Sequence, residues 1–291
     1  MKKIIALVLA AVMVLAFAAC SNNAAEETTV PEEETTLNAA DTEKGEGVMT
    51  YAEFVAAELD SEVVIETYVQ AKQSWWEDKV TVYTQDADGA YFLYEMACTE
   101  EDNAKLVPGT KIKVTGFKSE WSGEVEITDA TFEIEEGYYL AEAADVTEKI
   151  GTEELINSQN MFVGFKGMTI EAYDEEGNAF AYKNAEEKTD DLYFKASVNG
   201  TTLDFCIEYY LCNEETDVYK AVEALKVGDV VDMEGFLYWY EGANAHITSL
   251  TVVEAAEGEE AEETEEAVEE TAEEAVEETT VEAVEETTAE A

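Results

Sequence analysis

One twelve-residue element occurs twice in this chain. Leu106-Val107-Pro108-Gly109-Thr110-Lys111-Ile112-Lys113-Val114-Thr115-Gly116-Phe117 returns as Leu225-Lys226-Val227-Gly228-Asp229-Val230-Val231-Asp232-Met233-Glu234-Gly235-Phe236. Each copy leads into an aromatic hairpin and a closing strand that begins Ile-Thr, at 127–132 and again at 247–252. A leucine, two glycines, a phenylalanine and that Ile-Thr start, kept in one order, mark a duplicated small β unit.

The chain begins with Lys2 and Lys3, an unbroken apolar run over 4–19, and then Cys20 before polar residues. This is the pattern of a secretory signal and not of a span: sixteen residues rise about 24 Å as a helix, against a hydrocarbon core of about 30 Å. Phe17-Ala18-Ala19-Cys20 resembles a bacterial lipoprotein lipobox, with Phe17 where leucine is usual. The resemblance implies that residues 1–20 are a signal peptide whose Cys20 becomes the lipidated first residue. The protein would then be held at the extracytoplasmic face of the cell membrane, with enough acyl chain for stable anchoring. Residues 21–49 are Glu-, Thr- and Ala-rich, too poor in large apolar groups to offset chain entropy, and read as a flexible acidic spacer.

Residues 50–137 form the first folded unit. Thr50-Tyr51-Ala52-Glu53 has capping-box form and opens a short helix. Strands follow over 63–69, at Val80 and Val82, and over 90–96, with a turn at Asp86-Ala87-Asp88-Gly89. Thr99 opens a second short helix that ends near Leu106. In the repeated element, Ile112 and Val114 alternate with lysines, and Val125 and Ile127 with Glu124 and Glu126, which predicts one face in a core and one in water. The order strand, strand, strand, helix, strand, strand resembles the OB-fold, a small Greek-key barrel. Residues 138–254 repeat it with a leading helix over 151–158, a first strand over 162–172 and an added polar loop over 181–191. A hairpin over 192–210 turns at Asn199-Gly200, and a helix lies within 213–225. The fold class expected is therefore all-β with short helices: two tandem OB-fold-like five-stranded barrels between acidic tails. Two half-sandwiches sharing one core would also preserve the repeat.

From 255 to 291 an octad built on Ala-Val-Glu-Glu-Thr repeats. Successive Ala-Val pairs drift by about 80° around a helix, so no stripe forms and self-repulsion predicts a disordered, extended tail. It reads as a solvating bristle, the alternative being a cation- or partner-binding arm. The stretch from Glu254 holds 18 acids and no base, yet of the total charge of −53 about −30 remains between Tyr51 and Val253. Every basic residue is a lysine. OB-folds often take single-stranded nucleic acid in a cationic groove. Phosphate neutralisation dominates such affinity, so charge predicts no nucleic-acid partner despite Lys111, Lys113 and Lys118. It suits a soluble monomer.

Chemistry is sparsely signalled. The single histidine, His246, reads as a surface or edge residue at a strand start; no His or Cys spacing matches a zinc site, and no phosphate loop occurs. Asp86-Ala87-Asp88-Gly89 lacks the later acidic ligand of a calcium loop and reads as a turn. No catalytic residue, metal or cofactor is assigned, and no enzyme is expected. Besides Cys20, Cys98 and Cys212 hold matching places before the short helices. Cys206 and Cys212 lie six apart on what reads as one strand, about 20 Å, too far for a disulfide. Buried free thiols are expected.

Aromatic residues are the remaining signal. Trp75 and Trp76 lie in the loop between the first two strands of unit one, Trp121 in its last hairpin, and Tyr238, Trp239 and Tyr240 in the matching hairpin of unit two. In the OB-fold these loops and the face of strands two and three recognise ligands, and two adjacent tryptophans in a loop cannot both enter the core. The resulting expectation is an extracytoplasmic binding or interaction module that takes a glycan or peptide through these six residues. A spacing lipoprotein without a small ligand, with the aromatics as a lid or interface, and a glycan-acting enzyme are the alternatives.

Overall fold

The computed structural model describes residues 38–184 and 188–256. Cys20 with the expected signal peptide, residues 21–37 of the expected spacer, three residues of the 181–191 loop and the octad tail beyond 256 lie outside them.

The first barrel is entered through α1 (Tyr51–Ala56), which has the full capping box of Thr50 and Glu53. Five strands follow: β1 (Glu62–Lys72), β2 (Lys79–Gln85), β3 (Ala90–Ala97), β4 (Thr110–Trp121) and β5 (Glu124–Tyr138), with α2 (Glu100–Asn103) between β3 and β4. They close in the order β1-β2-β3-β5-β4, with β4 returning to β1 and a parallel β3–β5 pairing at Phe92–Glu126 and Leu93–Ile127. Ile65, Val82, Leu93, Met96, Ile112, Val114 and Ile127 fill the interior. This is the OB-fold order, and full closure removes the sheet edges.

The second barrel is preceded by β6 (Ala144–Asp145) and built from β7 (Phe162–Glu171), β8 (Phe180–Tyr182), β9 (Leu192–Val198), β10 (Thr201–Ile207), β11 (Val230–Phe236) and β12 (Asn244–Glu254), with α3 (Asp217–Glu223) between β10 and β11. Its ring is β7-β11-β12-β10-β9, closed by β7–β9 pairing at Thr169–Ser197, while β6 and β8 are additions. The parallel β10–β12 contact repeats that of β3–β5. Phe165, Phe194, Phe205, Met233 and Ile247 belong to a core separate from that of the first barrel, so the chain is two closed barrels in tandem and not two half-sandwiches.

The repeated glycines are explained by backbone geometry. Gly109 and Gly228 hold the same left-handed turn, at φ +91° and +94°, where a side chain is strained. Gly116 and Gly235 sit at register shifts, where the neighbouring strand crosses close enough that a Cβ would meet Ile127 Cγ2 at 2.7 Å and His246 O at 2.2 Å respectively. The duplication conserved the two places where the chain has no room or the wrong φ.

Several expectations are corrected. Residues 38–49 of the spacer lie on the first barrel: the spacer's one base, Lys44, pairs with buried Asp86 at 2.5 Å, Asp41 N donates to Tyr68 Oη, and Met49 packs on the core. The 151–158 helix is replaced by 3-10 turns at Thr147–Lys149 and Leu155–Ser158. β10 ends at Ile207, so Cys206 and Cys212 do not share a strand; both are buried free thiols, as is Cys98. Glu124 and Glu126, expected in water, are buried, as is His246. The lysine group is not a cationic patch. Lys111 is bridged by Asp41, Glu66 and Glu135, and Lys118 donates to the carbonyls of Phe54, Val55 and Ala57 at the end of α1.

One cause accounts for the buried acids and histidine. Part of the outer face of β2, β3 and the start of β5 is covered by the second barrel. Tyr83 and Phe92 pack on Phe236, with Phe162, Leu211 and Tyr238 around them. Tyr83 and Phe236 stack at 4.6 Å, and such pairs each contribute about 1 kcal/mol beyond their area. Hydrogen bonds seal the joint: Phe162 N to Gln85 Oε1 at 2.8 Å, Ser74 N to Tyr210 O at 2.7 Å and Glu241 N to Ser122 O at 2.8 Å. These bonds hold the two barrels in one register.

Candidate functional site

Beside this joint runs a cleft of about 1260 Å³, walled by both barrels. Three hairpin ends meet at it. Trp76 and Lys79 exchange backbone hydrogen bonds at 3.0 and 2.9 Å across Glu77 and Asp78, both with positive φ. That tight turn leaves Trp76 72% exposed. Trp121 and Glu124 flank Ser122 and Gly123, again both at positive φ, and Trp121 is 62% exposed. From the second barrel, Tyr240 N donates to Gly242 O at 2.8 Å, and the Tyr240 side chain stays exposed.

Four of the six expected aromatics line the cleft: Trp76, Trp121, Tyr238 and Tyr240. Trp75 and Trp239 do not. Trp75 turns onto the first core and its indole Nε1 donates to Cys98 O at 2.8 Å. Trp239 lies against Gly123, where an added Cβ would meet its ring at 2.8 Å, and its backbone N–H donates to Glu124 Oε2 at 2.8 Å. Tyr238 has two roles, since it lines the cleft and stacks on His246 at 4.3 Å. Cys20 lies outside the described residues.

Sequence reasoning missed Tyr94, Tyr173, Tyr193 and Tyr210, which complete the walls. Tyr94 is on the β3 face that the OB-fold resemblance already implicated, so that signal was present. The others come from loops and strands of the second barrel that only the docking of the barrels brings across. Among the described residues the exposed large aromatic side chains are Trp76, Tyr94, Phe117, Trp121, Tyr210 and Tyr240. All but Phe117 line this one cleft.

The polar lining is acidic. Glu95, Asp191, Asp204, Glu208 and Glu241 face two lysines. Lys79 is paired with Glu95 at 2.7 Å and Lys183 with Asp191 at 2.9 Å. Asp191 is further fixed by Tyr193 Oη at 3.2 Å and Tyr209 N at 2.9 Å. Glu208 Oε2 accepts from Leu211 N at 2.8 Å, and burial beside Asp191 pushes its carboxyl up to about 7. Burial likewise raises the Cys206 thiol and holds His246 down to about 4. Asp86-Ala87-Asp88-Gly89, outside the cleft, is a turn in which Asp86 Oδ1 accepts from the N–H groups of Asp88 and Gly89. A second hollow, about 630 Å³ between α2 and β5, is lined by Cys98, Lys105 and Phe132 and gathers none of the exposed tyrosines or tryptophans.

No family model matches this chain, and no curated protein does. Solved structures do match. A murine DNA-binding protein bound with double-stranded DNA is 10% identical, at TM-score 0.33, over 67% of this chain and 97% of that one. A single-stranded DNA-binding protein from Thermus aquaticus is 13% identical, at TM-score 0.25, over 68% of this chain and 97% of that one. Asparaginyl-tRNA synthetase from Pyrococcus horikoshii is 14% identical, at TM-score 0.25, over 33% of this chain; the match spans only 20% of the synthetase. The expectation that nucleic acid is excluded as a partner is overturned by these matches.

Proposed function

We propose that this chain is a binding module carried outside the cell on a lipid at Cys20, and that its ligand, a glycan or peptide, seats in the cleft between the barrels. One observation carries the reading: nearly every large aromatic side chain that the described residues leave in water is gathered along this single cleft. Scattered exposed apolar residues need no explanation, whereas clustered ones around a cavity mark recognition. Flat rings held on tight turns provide contact area at low entropic cost and stack on sugar faces or peptide side chains. The lipobox-like Phe17-Ala18-Ala19-Cys20 after a short apolar run supports the anchor.

Tryptophan fluorescence and calorimetry against panels of oligosaccharides, peptides and single-stranded oligonucleotides test the cleft. Binding that falls at least tenfold in the double variant Trp76→Ala, Trp121→Ala supports the reading, and binding that ignores those changes sinks it. For the anchor, Cys20→Ser is expected to release the protein into the medium; retention on membranes would count against lipidation.

A further inference from the structure

The cleft's charge says more than its shape. Of its five carboxylates, Glu95 and Asp191 are each held by a lysine of the same lining. Asp204, Glu208 and Glu241 have no salt-bridging lysine among the described residues, and they stand among Trp76, Trp121, Tyr173, Tyr193 and Tyr240. No lysine of the lining is left to meet an anion. The two kinds of group present, carboxylates and π-faces, are the two that attract an organic cation: carboxylates pair with ammonium groups, and ring faces attract them through the quadrupole. Magnesium and calcium instead want several oxygens converging at about 2.0–2.6 Å, and among the described residues no group of three or more His, Cys, Asp or Glu side chains is placed to hold a metal.

We propose that the cleft is selective for ligands bearing several ammonium groups on an apolar chain, as in a lysine-rich peptide segment. This rests on the cleft being the ligand seat. The three unpaired carboxylates lie on β10, the turn after β10 and the β11–β12 hairpin, so a chain lying along the cleft meets more than one of them. Its methylenes pack on the tyrosines and tryptophans between those points. A free polyamine has the same chemistry.

The test is calorimetry on the full-length protein in a non-ionic polyoxyethylene detergent at fixed salt. Tetralysine, spermidine, fully acetylated tetralysine and a neutral tetrasaccharide are titrated in parallel. Tetralysine is expected to bind at least tenfold more tightly than its acetylated form, and spermidine reports whether a free amine chain suffices in place of a peptide. The triple variant Asp204→Asn, Glu208→Gln, Glu241→Gln and the double variant Trp76→Ala, Trp121→Ala should each weaken tetralysine at least tenfold. Both variants keep the acidic tail, so binding through the tail alone would survive in both and would overturn the proposal. Acetylated peptide or neutral sugar binding as tightly as tetralysine, with dependence on Trp76 and Trp121, would overturn cation selectivity and leave the seat intact. If tetralysine depends on the three carboxylates but no ligand depends on the tryptophans, the aromatic seat itself fails.

Discussion

The hydroxyl of Tyr83, on β2 of the first barrel, lies 2.7 Å from Nδ1 of His246, on β12 of the second. Both side chains are buried, and the imidazole is stacked on Tyr238. Burial holds His246 neutral, with its pKa near 4. An unfolded histidine titrates near 6.5. Between those values the unfolded chain carries a proton that the folded one does not, so stability falls as pH drops from about 6.5 towards 4. His246→Gln, which cannot titrate, is expected to lose less stability than the parent between pH 7 and pH 4.5. Urea midpoints at the two pH values measure it, and equal losses would exclude His246 as the cause. Tyr83→Phe should cost about 1–2 kcal/mol at neutral pH by leaving the imidazole nitrogen unpaired.

Glu124 titrates in the opposite sense at the same joint. Its side chain is fully buried; Oε2 accepts from Trp239 N and Gln159 Nε2, while Oε1 has no hydrogen-bond partner among the described residues. Burial raises its carboxyl to about 8. From about 4.5, where the unfolded carboxyl loses its proton, up to that value the folded state holds the extra proton, so stability is lost as pH rises through the window. Glu124→Gln is expected to match the parent within about 1 kcal/mol at pH 5 and to exceed it by about 2 kcal/mol at pH 9. Chemical denaturation at both pH values decides it; a variant that is less stable at pH 9 would show that the carboxylate is better accommodated than its burial implies.

Both buried ionisable groups lie where sequence reading failed, and for one reason. Alternation along β5 separated Ile127 from Glu124 and Glu126 correctly as to face, but a period of two says only that the faces differ, not that the second face meets water. Here it meets another barrel. The duplicated Leu-Gly-Gly-Phe frame, the strand order and the helix before each copy of that frame were legible because they are local and occur twice. The hairpin tips with Trp76, Trp121 and Tyr240 were legible because turns expose what they carry. Tyr173, Tyr193 and Tyr210 were not, since their place in the cleft depends on a docking that no periodicity encodes. The 38–49 strap was missed because composition averages over Lys44, whose bond to Asp86 is a long-range contact that no local pattern encodes.

That strap gives its own expectation. Lys44 Nζ is bonded to Asp86 Oδ2 and to Glu66 O, and Asp86 also takes the Tyr91 hydroxyl at 3.2 Å. Lys44→Ala leaves a buried carboxylate without its cation, which typically costs about 3 kcal/mol. Amide exchange should show residues 38–49 losing protection ahead of the barrel. A variant whose strap stays as protected as the parent's would mean that Met49 and the backbone bond from Ala39 N to Tyr138 O suffice.

The duplicated glycines separate by what opposes them. At Gly235 an added Cβ would meet backbone on the neighbouring strand, His246 O at 2.2 Å and Ile247 Cα at 2.7 Å, and a strand in a closed barrel cannot step aside. At Gly116 the first contact is a side-chain methyl, Ile127 Cγ2 at 2.7 Å, followed by Thr128 O at 2.9 Å. A methyl end moves more readily than a carbonyl, though Ile127 is itself buried in the core. Gly235→Ala is therefore expected to cost more than about 3 kcal/mol, and Gly116→Ala about 1–3 kcal/mol, the range for overpacking. Gly235→Ala should also disturb the cleft, because the residue it presses, His246, stacks on Tyr238 at the cleft wall. Denaturation midpoints for the two variants, read with the quenching of cleft tryptophans by acrylamide, test both halves. Equal costs, or a Gly235→Ala protein with an unchanged cleft, would show that β12 yields where its backbone leaves least room.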